Sequence, residues 1–159
     1  MGRTSTKKMK NLLIVYQSQS GSTALLAAAV ARGAGQEAGV DIRQRHALDA
    51  DIADLAWCDG VLIGTPENFG YLSGLIKDFF DRTYYAAYEL QLQRPYALFI
   101  SAGNDGTGAQ RQAERILQGL PWRKIAEPVI VRGPASDADL TPCEELGQAM
   151  AAGLLLGIF

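Results

Sequence analysis

The chain has 159 residues, of which 48% are hydrophobic and 20% charged, with a formal net charge of −2. This is one domain's worth of sequence, with enough apolar side chains to bury a core. It excludes a low-hydrophobicity disordered chain, and no overall positive charge is present to hold nucleic acid.

The first ten residues carry Arg3, Lys7, Lys8 and Lys10 and no acid, so segment 1–10 is expected to be a solvated, disordered basic tail. Without aromatics or a basic face elsewhere it makes a poor nucleic-acid arm. The two cysteines, Cys58 and Cys143, are far apart and form no metal-ligand spacing, so no metal is expected and a reducing, cytoplasmic compartment is. The basic start runs into a strand-length apolar stretch with no small-residue cleavage site, which does not read as a signal peptide. The apolar segment 149–159 is shorter than the ~20 residues a membrane crossing needs, and reads as a packed helix or a contact between subunits.

From residue 11 onward the hydrophobic pattern alternates between buried strand and helix. Strand 11–17 is followed by a small-residue helix over 23–37 that ends near Gly39, then by a weaker strand at 40–45 and a short helix at 52–57. An apolar strand follows at 60–65. In 72–83, Leu75, Ile76, Phe79 and Phe80 fall on one helical face. Strand 97–101, helix 109–118 and strand 125–131 come next. The last helix is expected to start at Thr141, with Pro142 at the first helical position and Glu144 three residues after Thr141. Strands alternating with helices predict an α/β domain over 11–159, with right-handed crossovers around a parallel sheet covered on both faces.

In such a sheet, ligands bind beyond the carboxyl ends of the strands, where the strand order reverses. Three loops should share that rim: Ser18–Thr23, Thr65–Tyr71 and Ser101–Gly108. The first joins a strand to a helix N-terminus, which offers free backbone N–H groups and a partial positive charge to an anion. Gly21 allows close approach of the backbone, and Ser18, Ser20, Ser22 and Thr23 carry hydroxyl donors. No Lys or Arg lies in this loop, so a phosphate here would be held by uncharged groups.

At these residues the chain resembles the flavodoxin-like FMN proteins. Ser18-Gln19-Ser20-Gly21-Ser22-Thr23 is similar to the family's phosphate loop, which runs hydroxyl-x-hydroxyl-Gly-x-Thr directly after the first strand. Gly64-Thr65-Pro66, Phe69-Gly70 and Ser73-Gly74 look most like the NAD(P)H:quinone and FMN reductase branch, which includes the tryptophan-repressor-binding-protein type. Ser101-Ala102-Gly103 with Gly106 and Gly108 is similar in position and glycine content.

The resemblance implies a doubly wound, five-stranded parallel sheet of order 2-1-3-4-5 in three αβα layers. It implies FMN as cofactor, with Ser18, Gln19, Ser20, Gly21, Ser22 and Thr23 around its phosphate. Pro66, Glu67, Asn68, Phe69 and Gly70 would line the isoalloxazine face and its N5 edge. Ala102, Gly103, Asn104, Asp105 and Gly106 would approach the pyrimidine end. NAD(P)H would be the electron donor and a quinone or similar small molecule the acceptor. The flavin carries the redox chemistry, so no catalytic side chain is required. An alternative on the same fold is an electron-transfer module serving a protein partner. The modest net charge and a third loop without aromatics favour the reductase. A homo-oligomer is compatible with the sequence.

Other residues keep plainer readings. Asp105 can be a helix N-cap or a flavin contact. Tyr84, Tyr85 and Tyr88 follow the 72–83 helix and can gate the substrate side or pack a dimer contact. Cys143 would sit in the first turn of its helix, where a thiol pKa can fall, although packing is the better reading. Cys58 reads as buried packing. His46, the only histidine, is expected away from the rim. A nucleotide-hydrolysing P-loop needs a Gly-Lys pair, which is absent. A receiver domain needs an Asp ending the third strand, where Thr65-Pro66 stands, and an NAD-binding Rossmann domain needs several glycines after the first strand, where only Gly21 is found.

Overall fold

The computed structural model describes residues 8–159, and most of the expected basic tail lies outside them. Lys10, placed in that tail by the sequence, is the first residue of a strand. The elements are β1 (Lys10–Tyr16), α1 (Ser22–Ala34), β2 (Val40–His46), α2 (Ile52–Trp57), β3 (Gly60–Pro66), α3 (Gly74–Glu89), β4 (Pro95–Ala102), α4 (Thr107–Leu117), β5 (Arg123–Lys124), β6 (Val129–Arg132) and α5 (Asp137–Leu156). All strand pairs are parallel and the order is β2-β1-β3-β4-β5, with β6 also paired to β4.

The alternation of side chains along β1 explains the layers. Leu13 and Val15 enter one core with Leu55 of α2, Ile76 and Phe79 of α3, and Ala113 and Leu117 of α4. Leu12 and Ile14 enter the opposite core with Leu26 and Val30 of α1, and Leu146, Met150 and Leu154 of α5. The central strands β3 and β4 are buried almost throughout, as expected of a parallel sheet covered on both faces.

Three expectations are corrected. The strand expected at 125–131 forms only over Val129–Arg132, paired with Phe99 to Ala102, and a short strand not expected, Arg123–Lys124, precedes it and pairs with Pro95 and Tyr96. Pro128, which has no N–H to donate, lies in the break. The last helix begins at Asp137, not near Thr141. Ser136 is its N-cap in a reciprocal capping box with Asp139, and Pro142 lies inside the helix. Pro142 is the sixth helical residue and forgoes the bond to the Ala138 carbonyl, a local cost that the reciprocal box at Ser136 outweighs in setting the start. Finally, α3 extends to Glu89, which places Tyr84, Tyr85 and Tyr88 on the helix.

The earlier start of α5 changes the surroundings of Cys143. It is fully buried and well past the first turn, and burial pushes its thiol up to about 11, with Asp139 and Glu144 acting in the same direction. Burial likewise raises the Cys58 thiol to about 11, and both cysteines are structural.

α1 and α5 touch at the backbone. A Cβ on Gly33 would lie 1.8 Å from the Glu144 carbonyl oxygen, and one on Gly147 would lie 2.0 Å from that of Val30. The small residues of α1 thus allow the close approach that fixes the helix leading out of the first loop. Gly147→Ala should lower stability by about 1–3 kcal/mol, read as a fall in the urea midpoint. An unchanged midpoint would show that the helices can separate freely.

Candidate functional site

The register places the ends of three strands together. Tyr16 pairs with Gly64, and Pro66 with Ser101. The loops after β1, β3 and β4 therefore meet at one rim. Ser20, Ser22, Pro66, Glu67, Asn68, Ala102 and Gly103 line a common cleft of about 410 Å³. The cleft also includes Ser101, which sequence reading put on the rim without a ligand contact, and Gly133 and Pro134, which it did not assign. The Gly133-Pro134 pair just beyond a strand is a turn signal that could have found the last two.

In the first loop Gly21 has φ +100° and takes the N-cap position of α1, a left-handed conformation that favours glycine. Its side-chain position is open, with nothing within 4 Å. Ser18 Oγ accepts from the amides of Gly21 at 3.1 Å and Ala24 at 3.2 Å, tying the loop to the helix. The amides of Ser18, Gln19, Ser20, Ser22 and Thr23 have no acceptor among the described residues. Such amides at the start of a 13-residue helix form a concave donor surface suited to an anion. The Ser20 and Ser22 hydroxyls lie 3.4 Å apart over it. Thr23 is placed differently: its hydroxyl is buried and pairs with the Ser101 hydroxyl at 2.7 Å, bracing α1 against the end of β4.

The second loop is a tight hairpin. Asn68 and Tyr71 exchange backbone hydrogen bonds of 2.9 Å, and both residues between them have positive φ: Phe69 at 54° and Gly70 at 70°. Glycine takes this conformation readily, whereas for a bulky side chain it is strained. Phe69 is nonetheless fully exposed, at 106%, so no burial compensates for its position. The loop base is held by Thr65, whose hydroxyl donates to the Pro66 carbonyl and accepts from the Ser73 amide.

Glu67 joins the second loop to the third, which the sequence alone did not reveal. Its carboxylate accepts from the amides of Gly106 at 3.0 Å, Gly108 at 3.0 Å and Ala109 at 3.2 Å, closing the N-terminus of α4. Its own amide donates to the Ser101 carbonyl. Gly108 is packed so tightly that a Cβ would lie 2.1 Å from the Gly70 carbonyl oxygen. Gly106, with φ +92°, is the N-cap residue of α4. Asp105 does not take that position. Its exposed carboxylate accepts from the Thr107 hydroxyl, and this bond holds its pKa below the usual range. The amides of Gly103 and Asn104 are without an acceptor among the described residues.

Tyr84 is half-buried, and its hydroxyl occupies the space beside Gly119, whereas Tyr85 and Tyr88 are exposed on α3. His46 ends β2 with its ring edge-on to Tyr16, the centroids 5.7 Å apart. Among the described residues there is no cluster suited to a metal ion, and no helix is long and apolar enough to cross a membrane. Because Glu67 makes three bonds from a charged acceptor, Glu67→Ala should cost about 2 kcal/mol of stability in urea unfolding. A loss within error would mean that the bracket is dispensable.

Known proteins resemble this chain in sequence over part of its length and in overall fold. A flavodoxin from Aquifex aeolicus is 37% identical over 46% of this chain and 40% of its own length. An NAD(P)H dehydrogenase (quinone) from Paracoccus denitrificans is 32% identical over 47% of this chain and 45% of its own. The matches thus span less than half the length of these relatives. Among solved structures, an archaeal flavodoxin superposes with a TM-score of 0.79 at 23% identity, covering 91% of this chain and 98% of that one. A WrbA-like flavodoxin from Agrobacterium tumefaciens gives 0.75 at 20%, covering 93% and 98%. The rubredoxin oxygen:oxidoreductase of Desulfovibrio gigas gives 0.81 at 18%, covering 96% of this chain but 38% of that one. These structures share the flavodoxin-like fold. Residues 9–133 match the NADPH-dependent FMN reductase family, and the chain belongs to that family of flavodoxin-like FMN oxidoreductases.

Proposed function

We propose that the protein binds FMN in the rim cleft and passes hydride from NAD(P)H to a quinone or similar small acceptor. The observation that carries this reading is the row of unpaired amides at the start of α1, in a loop with no charged side chain. That donor set fits a phosphate monoester, which neutral N–H and O–H groups at a helix end can hold without a counter-ion. Ser20, Ser22 and the amides of Ser18, Gln19, Ser20, Ser22 and Thr23 would take the phosphate, with the Ser18 hydroxyl and Gly21 shaping the loop. Thr23 would act indirectly, by holding α1 to Ser101.

When bound, FMN supplies hydride acceptance and electron transfer. The protein's part is binding, orientation and electrostatics. Pro66, Glu67, Asn68 and Phe69 would meet the ring from one loop. Ala102, Gly103, Asn104, Asp105 and Gly106 would approach it from the other with small residues and open amides. Glu67 would keep the third loop in place and fill the α4 terminus, leaving the α1 terminus for the phosphate. Phe69, held in a strained conformation without burial, would provide an aromatic face to the flavin.

The family match and the quinone dehydrogenase relative support the reductase reading. The flavodoxin relative keeps the alternative of an electron carrier in view. Redox titration of the FMN-loaded protein separates the two: one two-electron step is expected of the reductase, and two resolved one-electron steps of the carrier. The direct test follows NADH and NADPH oxidation with quinone acceptors. Full FMN loading without turnover of either nucleotide would overturn the proposed activity. Phe69→Gly should leave stability unchanged or higher while weakening FMN binding roughly fivefold, corresponding to about 1 kcal/mol of lost stacking. Unchanged FMN affinity would remove Phe69 from the site.

A further inference from the structure

α3 and α4 turn matching faces toward each other without closing the space between them. On α3, Lys77, Phe80, Asp81 and Tyr84 fall at i, i+3, i+4 and i+7. On α4 and the turn after it, Gln112, Arg115, Ile116 and Gly119 repeat that spacing. The two rows, with Tyr71 and Tyr85, line a cavity of about 490 Å³, the size of a small-molecule site. It shares no lining residue with the rim cleft, nor with the smaller cavity beside that cleft which Asn68 and Gln17 line.

The walls are largely aromatic and aliphatic. Phe80 is buried, Tyr71, Tyr84 and Ile116 are half-buried, and the Tyr84 and Tyr85 rings meet edge-on with centroids 5.4 Å apart. The Tyr84 hydroxyl has no hydrogen-bond partner among the described residues, yet it is not a sealed atom as Gln17 Oε1 is, so solvent reaches it. Gly119 admits it: a Cβ there would lie 1.9 Å from the hydroxyl oxygen. Gly119 does not have a positive φ, so room for this hydroxyl, and not the backbone, calls for glycine. A hydroxyl that serves no bond within the protein is available to a ligand.

The charge in the walls is unbalanced by one. Lys77 and Asp81 pair at 2.7 Å. Arg115 has no acidic partner among the described residues, and its neighbour Glu114 is held by Lys124 at 3.2 Å. The cavity thus presents a guanidinium and a hydroxyl, both unpaired, beside aromatic surface. Their complement is a flat apolar ring system carrying one carboxylate, which a guanidinium binds through two parallel N–H groups.

We propose that the cavity between α3 and α4 is a binding site for an aromatic monocarboxylate, separate from the rim cleft. The carboxylate accepts from Arg115 and from the Tyr84 hydroxyl, and the ring lies against Tyr71, Phe80 and Ile116. This site does not depend on the function proposed above.

The test titrates the whole chain, with and without FMN, with 2-naphthoate, its neutral analogue 2-naphthamide, and acetate, followed by amide NMR shifts. 2-Naphthoate should saturate shifts around Tyr71, Tyr84, Ile116 and Gly119 whether or not FMN is present, and bind about tenfold more tightly than 2-naphthamide. Acetate, which has no ring, should give no saturable shift. Arg115→Met removes the charge from an exposed side chain. It should weaken 2-naphthoate about tenfold, to the level of the amide, while leaving 2-naphthamide and FMN affinities unchanged. Tyr84→Phe should weaken 2-naphthoate about threefold without lowering the urea midpoint, because the hydroxyl makes no internal bond.

Equal binding of 2-naphthoate to the native protein and Arg115→Met, equal affinity for the acid and the amide, or no saturable shift at these amides would each overturn the site. Shifts of the same amides on concentrating the protein alone would also overturn it, by showing that a second copy covers this face.

Discussion

Parallel hydrogen bonding of β1, β3 and β4 brings their carboxyl ends to a single rim, and the chemistry of the molecule depends on this constraint. Each of these strands is followed by a helix on one face or the other, so the starts of α1, α3 and α4 also gather there. Three positive helix ends at one rim would compete for the same anions. The fold treats them differently. Glu67 fills the α4 terminus with a carboxylate, Ser73 caps α3, and Ser18 ties α1 while leaving most of its loop amides open. In the proposed function this arrangement directs a phosphate to α1.

The position of that terminus is set far from the loop itself. Gly33 and Gly147 bring α1 and α5 into backbone contact, and the buried Thr23–Ser101 bond fixes the first turn of α1 to the end of β4. The loop amides can then stay unpaired because their scaffold is held by other interactions. Preorganised donors of this kind need little rearrangement to receive an anion.

The second loop carries local costs that packing does not repay. Phe69 combines a left-handed backbone with full exposure, and Gln17 buries an unpaired carbonyl beside the same loop. Neither arrangement strengthens the fold. Both flank Asn68, which belongs to the rim cleft and to the neighbouring cavity alike. Local costs gathered around one loop are more readily explained by ligand chemistry than by packing.

The sequence by itself determined the α/β class, the order of the elements and the three rim loops, because apolar periodicity and Gly/Ser-rich punctuation are local signals. The amides of the first loop were legible in the same way, since they follow from a strand, a glycine and a helix start. Only the tertiary structure decided the bounds of the last two strands, the Ser136 start of α5 and the full length of α3. In the first two cases competing local signals had to be resolved by pairing with β4 and by the capping box. The reach of Glu67 to α4, the turn of Thr23 toward Ser101 and the isolation of Gln17 were also beyond sequence reading. Each concerns residues 39 or more positions apart, or a bond that is missing, and local patterning carries no record of either.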